Sequence, residues 1–140
     1  MQYTSILLID DDNDDRFFFK TAVSELDERI KCDTLNSAID ALNSLKRSPA
    51  LPHLIFLDLN MPMMSGFEFL KLLKSEPRYA AIPVIIYSTS SNPDDVQKAK
   101  HLGASAYFCK PSSYIDLYEK LTKILDMDFR VGENNYQLLR

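Results

Sequence analysis

Cysteine is scarce in this chain: Cys32 and Cys109 stand far apart, with no Cys-x-x-Cys spacing. A pair so placed makes neither a disulfide framework nor a thiolate metal site. The plain expectation is two reduced cysteines in or near buried strands, where free thiols usually sit. An excess of basic charge is also missing. The formal net charge is −4, which argues against direct nucleic-acid binding, because that function leaves a basic patch or stripe. Long apolar runs are absent too. The run Ile6 to Ile9 has no basic flank and ends in Asp10, Asp11 and Asp12, so it is too short for the apolar core of a signal peptide. Nothing approaches the roughly 20 apolar residues of a membrane span. A reducing, cytoplasmic setting without membrane association is expected. Internal repeats and low-complexity tracts are lacking as well, so a single domain is expected from the 140 residues.

What is present is an alternation of two patterns. Short apolar runs, such as Ile6–Ile9 and His53–Leu57, apolar apart from its first residue, suit strands buried on both faces of a parallel sheet. Further strands are expected over 30–35, 83–87 and 105–109. Between them lie stretches with helical spacing. The first runs over 17–26, with Phe18, Ala22, Val23 and Leu26 near one face and Asn13 or Asp14 as cap. The second follows Asn36-Ser37, with a stripe through Ala38, Ile39, Ala41, Leu42 and Leu45, and stops before Pro49 and Pro52. The third spans 67–73 with Phe67, Leu70 and Leu73 inward, the fourth starts at Asn92-Pro93 and stops at Gly103, and the fifth runs from Tyr114 to about Met127. Strict strand–helix alternation predicts an α/β domain with a parallel sheet covered on both faces. Residues 128–140 read as a polar tail, with Leu138 and Leu139 able to dock.

In open parallel α/β sheets, sites form beyond the carboxyl ends of the strands. After the first strand stand Asp10, Asp11 and Asp12; after the third, Asp58; after the fourth, Ser88 and Thr89; after the fifth, Lys110. Clustered carboxylates repel, and a hard divalent cation relieves the repulsion. Magnesium suits Asp10, Asp11 and Asp58, since it takes one or two carboxylates together with phosphate oxygens. Helix capping by Asp10 to Asp12 is the plainer reading. Asp58 can act as a nucleophile toward a phosphoryl group. Lys110 can neutralise a phosphoryl oxygen and Ser88 can donate to another, against the plainer readings of a surface lysine and a cap for the next helix.

These residues, in the order IDDDNDDR, LDLNMPMMSGFEFL, YSTS and FCKP, resemble the receiver domain of two-component response regulators. The resemblance covers about residues 4–127. It implies a five-stranded parallel sheet of flavodoxin-like order 2-1-3-4-5 with helices on both faces, a receiver domain at 1–127 and a C-terminal tail at 128–140. It implies Asp58 as phosphoacceptor, Asp11 as direct magnesium ligand, Asp10 holding a metal-bound water, and the backbone carbonyl of Asn60 as a further ligand. Ser88 and Lys110 would contact the phosphoryl group, and Tyr107 would be an aromatic switch that swings inward once Ser88 moves. Pro62 and Gly66 match shaping residues of the loop. The departures are small: Ser88 stands for the commoner Thr, Ser65 for a frequent Asp, and Asp12, Asp14 and Asp15 add acidity.

The function so implied is a stand-alone signalling switch that catalyses only its own phosphorylation and dephosphorylation. Its phosphodonor would be a sensor histidine kinase or a phosphotransfer protein. Its output would be a protein partner, or onward relay, through the fourth helix, fifth strand and fifth helix. That surface is rich in apolar residues of the last helix, which suits a partner or a phosphorylation-dependent homodimer as well as an ordinary wide core stripe. Phe17, Phe18 and Phe19 cannot all face one core, so one is expected to be exposed near the acidic pocket, where kinases of such systems dock. An aspartyl-nucleophile phosphatase of the haloacid dehalogenase kind would want a second Asp two residues after the nucleophile, and that position is Asn60. A phosphorylation-independent binding module would tend to have lost the acidic pair, the acceptor or the lysine, and all are present.

Overall fold

The computed structural model describes residues 3–130 and 136–140; residues 131–135 of the expected tail, and the first two of the chain, lie outside the described residues. The elements alternate as expected: β1 (Ser5–Ile9), α1 (Asn13–Leu26), β2 (Lys31–Leu35), α2 (Ala38–Arg47), β3 (Leu54–Leu57), α3 (Gly66–Ser75), β4 (Val84–Ser88), α4 (Pro93–His101), β5 (Ala106–Cys109) and α5 (Tyr114–Ile124), followed by β6 (Gln137–Leu139). The strands form one sheet in the order β2-β1-β3-β4-β5-β6, and every pairing is parallel.

The alternation of side chains across a strand divides the core in two. On one face Leu7, Ile9, Ile55, Leu57 and Ile86 meet Ala41 and Leu45 of α2 and Phe69, Leu70 and Leu73 of α3. On the other face Ile6, Leu8, Phe56, Ile85 and Phe108 meet Phe19 and Val23 of α1 and Leu117 and Leu121 of α5. Both faces are therefore covered, and the continuous apolar runs of the central strands reflect that burial.

The structure departs from the expectations at the C-terminal end of the chain and in two helices. The sheet has six strands rather than five: Leu138 pairs in register with Tyr107 and Leu139 with Phe108. An uncovered β5 would present a row of unpaired N–H and C=O groups, and the returning chain satisfies it. In α1 the inward aromatic is Phe19, fully buried and packed edge-on to Phe56 at 4.8 Å between ring centroids, whereas Phe18 is 49% exposed and Phe17 57%. The helix begins at Asn13 and is capped by Asp12, whose side chain accepts from the N–H of Asp15; the expected caps Asn13 and Asp14 lie inside it. In α3 the buried aromatic is Phe69, with Phe67 only partly buried against the core.

The start of α3 fixes the loop after Asp58. Ser65 Oγ accepts from the N–H of Glu68, and Glu68 Oε1 accepts from the N–H of Ser65, both at 3.2 Å. This reciprocal pair satisfies two otherwise free donors, and it gives a structural use to a serine that has no chemical role in the sequence pattern. Ser65→Ala is expected to lower stability by about 1 kcal/mol, measured by urea denaturation, with the sheet unaffected. An unchanged midpoint would show that the cap does not hold the loop.

Candidate functional site

The carboxyl ends of β1, β3, β4 and β5 bring Asp10, Asp58, Ser88 and Lys110 to one edge of the sheet. Backbone bonds set their height: Asp58 N–H donates to Ile9 O at 2.9 Å, and Lys110 N–H donates to Ser88 O at 2.8 Å. Asp10 and Ser88 are fully buried and Asp58 is 6% exposed. Asp11 is exposed, one residue further into the turn.

Carboxylate oxygens of Asp10, Asp11 and Asp58 lie within 4.8 Å of one another. Burial raises the pKa of Asp58 to about 7; Lys110 opposes the rise, and Asp10 and Asp11 add to it. Burial likewise raises Asp10, against the hydrogen bond of Lys110. Burial works to lower the pKa of Lys110, and the carboxylates of Asp10 and Asp15 outweigh it, so the ammonium stays charged. Its Nζ stands 2.7 Å from Asp15 Oδ2, 2.8 Å from Asp10 Oδ2 and 3.9 Å from Asp58 Oδ1.

A divalent cation fits this donor set. All three groups are hard oxygen donors. Asp10 Oδ2 is buried and faces the Lys110 ammonium at 2.8 Å, so a cation or its water at this oxygen would share it with the lysine. The other oxygen, Asp10 Oδ1, accepts from the N–H of Asp12 at 3.0 Å. Asn60 stands in the loop after β3, and its N–H donates to the Asp58 carboxylate.

Ser88 and Tyr107 are joined through Ser90. The Ser90 N–H donates to Ser88 Oγ at 3.1 Å, and Tyr107 donates its hydroxyl proton to the Ser90 carbonyl at 2.8 Å. Tyr107, expected to swing inward on phosphorylation, is fully buried. Sequence reasoning missed three neighbours. Asp15 holds Lys110. Arg16 donates to the Asp10 carbonyl at 2.7 Å and also to the Asn13 side chain. Tyr87 places its ring 5.3 Å from Lys110 Nζ. The available signal was position: the first turn of α1 comes directly after the β1 end, so Asp15 and Arg16, one turn after the aspartates, return over the site.

The chain matches the model of the response regulator receiver domain over residues 6–122, and it belongs to that family. Receiver domains are phosphoryl-accepting signalling switches that work with histidine kinases or phosphotransfer proteins and bind a divalent cation in an acidic pocket. The chain is 31% identical over 123 residues to the probable methanogenesis regulatory protein FilR2 of Methanothrix harundinacea, covering 85% of this chain and 79% of that protein. It is 38% identical over 136 residues to a probable cyclic di-GMP phosphodiesterase of Vibrio cholerae, covering 94% of this chain but only 30% of that protein. Among solved structures it is similar to the phosphorylated cyanobacterial phytochrome response regulator RcpA, with a TM-score of 0.81, 28% identity, and coverage of 87% of this chain and 91% of the other. The Mn(2+)-bound response regulator Rcp1 superposes with a TM-score of 0.78 at 28% identity, over 86% of this chain and 91% of the other. Among the described residues no helix is long and apolar enough to cross a membrane.

Proposed function

We propose that the receiver unit, residues 1–127, accepts a phosphoryl group on Asp58 with a magnesium ion held by Asp11, Asp58 and the carbonyl of Asn60, and by Asp10 through a water. The observation that carries this is the convergence of Asp10, Asp11 and Asp58 within 4.8 Å beside the one ammonium of Lys110. The cation would neutralise charge developing on the transferring oxygens. An Asp58 carboxylate oxygen attacks phosphorus, a P–O bond forms, and the bond from phosphorus to the donor imidazole nitrogen breaks. Lys110 then meets one phosphoryl oxygen and the Ser88 hydroxyl another. The donor would be a phosphohistidine of a sensor kinase or phosphotransfer protein, approaching over exposed Phe17 and Phe18 beside the site.

Output would pass through Ser90. When the Ser88 hydroxyl turns to the phosphoryl group, the Ser90 N–H loses its acceptor, and the Ser90 carbonyl that holds Tyr107 is free to shift. Here the switch is a change in what holds an already buried ring. The responding surface, α4, β5 and α5, is joined by β6, since Tyr136 donates its hydroxyl proton to Val96 O of α4 at 2.7 Å. A protein partner, a phosphorylated homodimer or onward relay would read that surface in the cytoplasm, with no nucleic acid contacted directly.

The test is intact-mass analysis after incubation with acetyl phosphate, with and without magnesium, on the wild type and on Asp58→Asn. One phosphate adduct requiring both magnesium and Asp58 is expected. A folded wild type that gains no adduct, and binds no beryllofluoride, would overturn the reading.

A further inference from the structure

Lys110 is offered three carboxylates and is bound tightly by two. It lies 2.7 Å from Asp15 and 2.8 Å from Asp10, against 3.9 Å from Asp58. We infer that Asp15 is a positioning residue, whose carboxylate draws the Lys110 ammonium off Asp58 and so leaves the acceptor open to a divalent cation. This rests on the reading of Asp10, Asp11 and Asp58 as the cation site.

The electrostatics favour the opposite arrangement. Three mutually repelling carboxylates should pull the nearest cation into their midst. Arg16 does not serve, since its guanidinium is committed to the Asp10 carbonyl and the Asn13 side chain. Lys110 is therefore the natural internal counter-ion, and its side chain is only 9% exposed. An ammonium seated on Asp58 would compete with a cation for the same oxygens, because two positive charges a few ångströms apart repel strongly in a partly dry site. Asp15 supplies an outer seat. It belongs to the first turn of α1, where its N–H is fixed by the capping side chain of Asp12 at 2.9 Å. Its carboxylate is 36% exposed, at the rim rather than within the cluster. Asp10 alone could not hold the lysine clear of Asp58, because Asp10 is itself a member of the cluster. Once a phosphoryl oxygen arrives it offers a stronger charge than Asp15, and Lys110 crosses to it.

The test uses the whole chain, stripped of metal and titrated with magnesium by calorimetry, comparing wild type with Asp15→Asn, Asp15→Glu and Asp14→Asn. Asp14 carries the same charge one residue away, is exposed, and makes no ion pair among the described residues. Asp15→Asn is expected to weaken magnesium binding about three- to tenfold, Asp14→Asn less than about twofold, and Asp15→Glu to recover most of the loss. In nitrogen-15 lysine spectra, the Lys110 ammonium resonance should shift in Asp15→Asn and stay in place in Asp14→Asn. Equal weakening by Asp14→Asn would reduce the effect to bulk charge and overturn the inference. So would unchanged affinity in Asp15→Asn while wild type binds magnesium. A wild type that binds no magnesium at all would overturn the cation site together with it.

Discussion

Gly66→Ala is expected to cost about 3–5 kcal/mol of stability, and to loosen the Asp58 site in whatever fraction still folds. The glycine is the first residue of α3, and its N–H donates to Leu59 O at 2.9 Å. A Cβ built there would stand 2.2 Å from the backbone oxygen of Asp58 and 2.8 Å from Leu59 Cα. Both neighbours are backbone, so no side chain can rotate away. Either α3 lifts from the end of β3 or Asp58 itself is displaced. Gly103 supplies the contrast. It has φ of +98°, and an added Cβ would meet a flexible lysine side chain, Lys74 Cγ, at 3.2 Å. Gly103→Ala should therefore cost about 1–2 kcal/mol through its left-handed backbone and leave magnesium binding intact. Chemical denaturation and magnesium titration of both variants test this. A Gly66→Ala protein as stable as Gly103→Ala, with normal cation affinity, would refute the close approach.

Without divalent cation, the protein is expected to lose stability as the pH rises from about 4 to about 7. The folded-state pKa of Asp58 is raised from 3.8 to about 7, chiefly by burial. In that window the folded chain holds a proton that the unfolded chain has released, so stability falls with rising pH and levels off above the folded value. Asp10 is shifted in the same direction and reinforces the trend. Asp58→Asn removes one repelling carboxylate, and should stabilise the metal-free protein at pH 8 by on the order of 2–4 kcal/mol. The same substitution should make little difference near pH 4. Magnesium acts oppositely, stabilising the wild type at neutral pH in proportion to RT ln(1 + [L]/Kd) and the Asp58→Asn variant much less. Thermal melts at several pH values, with EDTA or with magnesium, give the comparison. If Asp58→Asn proved no more stable than wild type in EDTA at pH 8, the cluster would not be strained.

The tight glycine and the strained carboxylates share a cause. In the proposed role, Asp58 at the end of β3 is a buried carboxylate among others, held by a tight loop. Both features weaken the resting protein, a cost that the proposed binding of a cation and a phosphoryl group would offset.

The sequence by itself determined the order of elements and which polar side chains stand at the strand ends. Short apolar runs separated by helical stripes admit little besides a covered parallel sheet. That Asp10, Asp11, Asp58, Ser88 and Lys110 stand together at one sheet edge was legible, because strand ends are marked by an abrupt change from apolar to polar residues. Tertiary structure decided what depends on distance in space. Leu138 and Leu139 lie in a polar segment too short for any periodicity, and only the open edge of β5 makes a strand of them. Phe19 rather than Phe18 faces inward because it packs against Phe56 and Tyr87 of the sheet, and a shift of one residue turns a helical face by about 100°. Tyr107 is held inward by a carbonyl from another loop, that of Ser90, and no spacing in the chain announces it. The pairing of Lys110 with Asp15 spans 95 residues. Ion pairs of that kind are set by which rim a folded helix turn overhangs, and charge counted along a sequence carries no record of it.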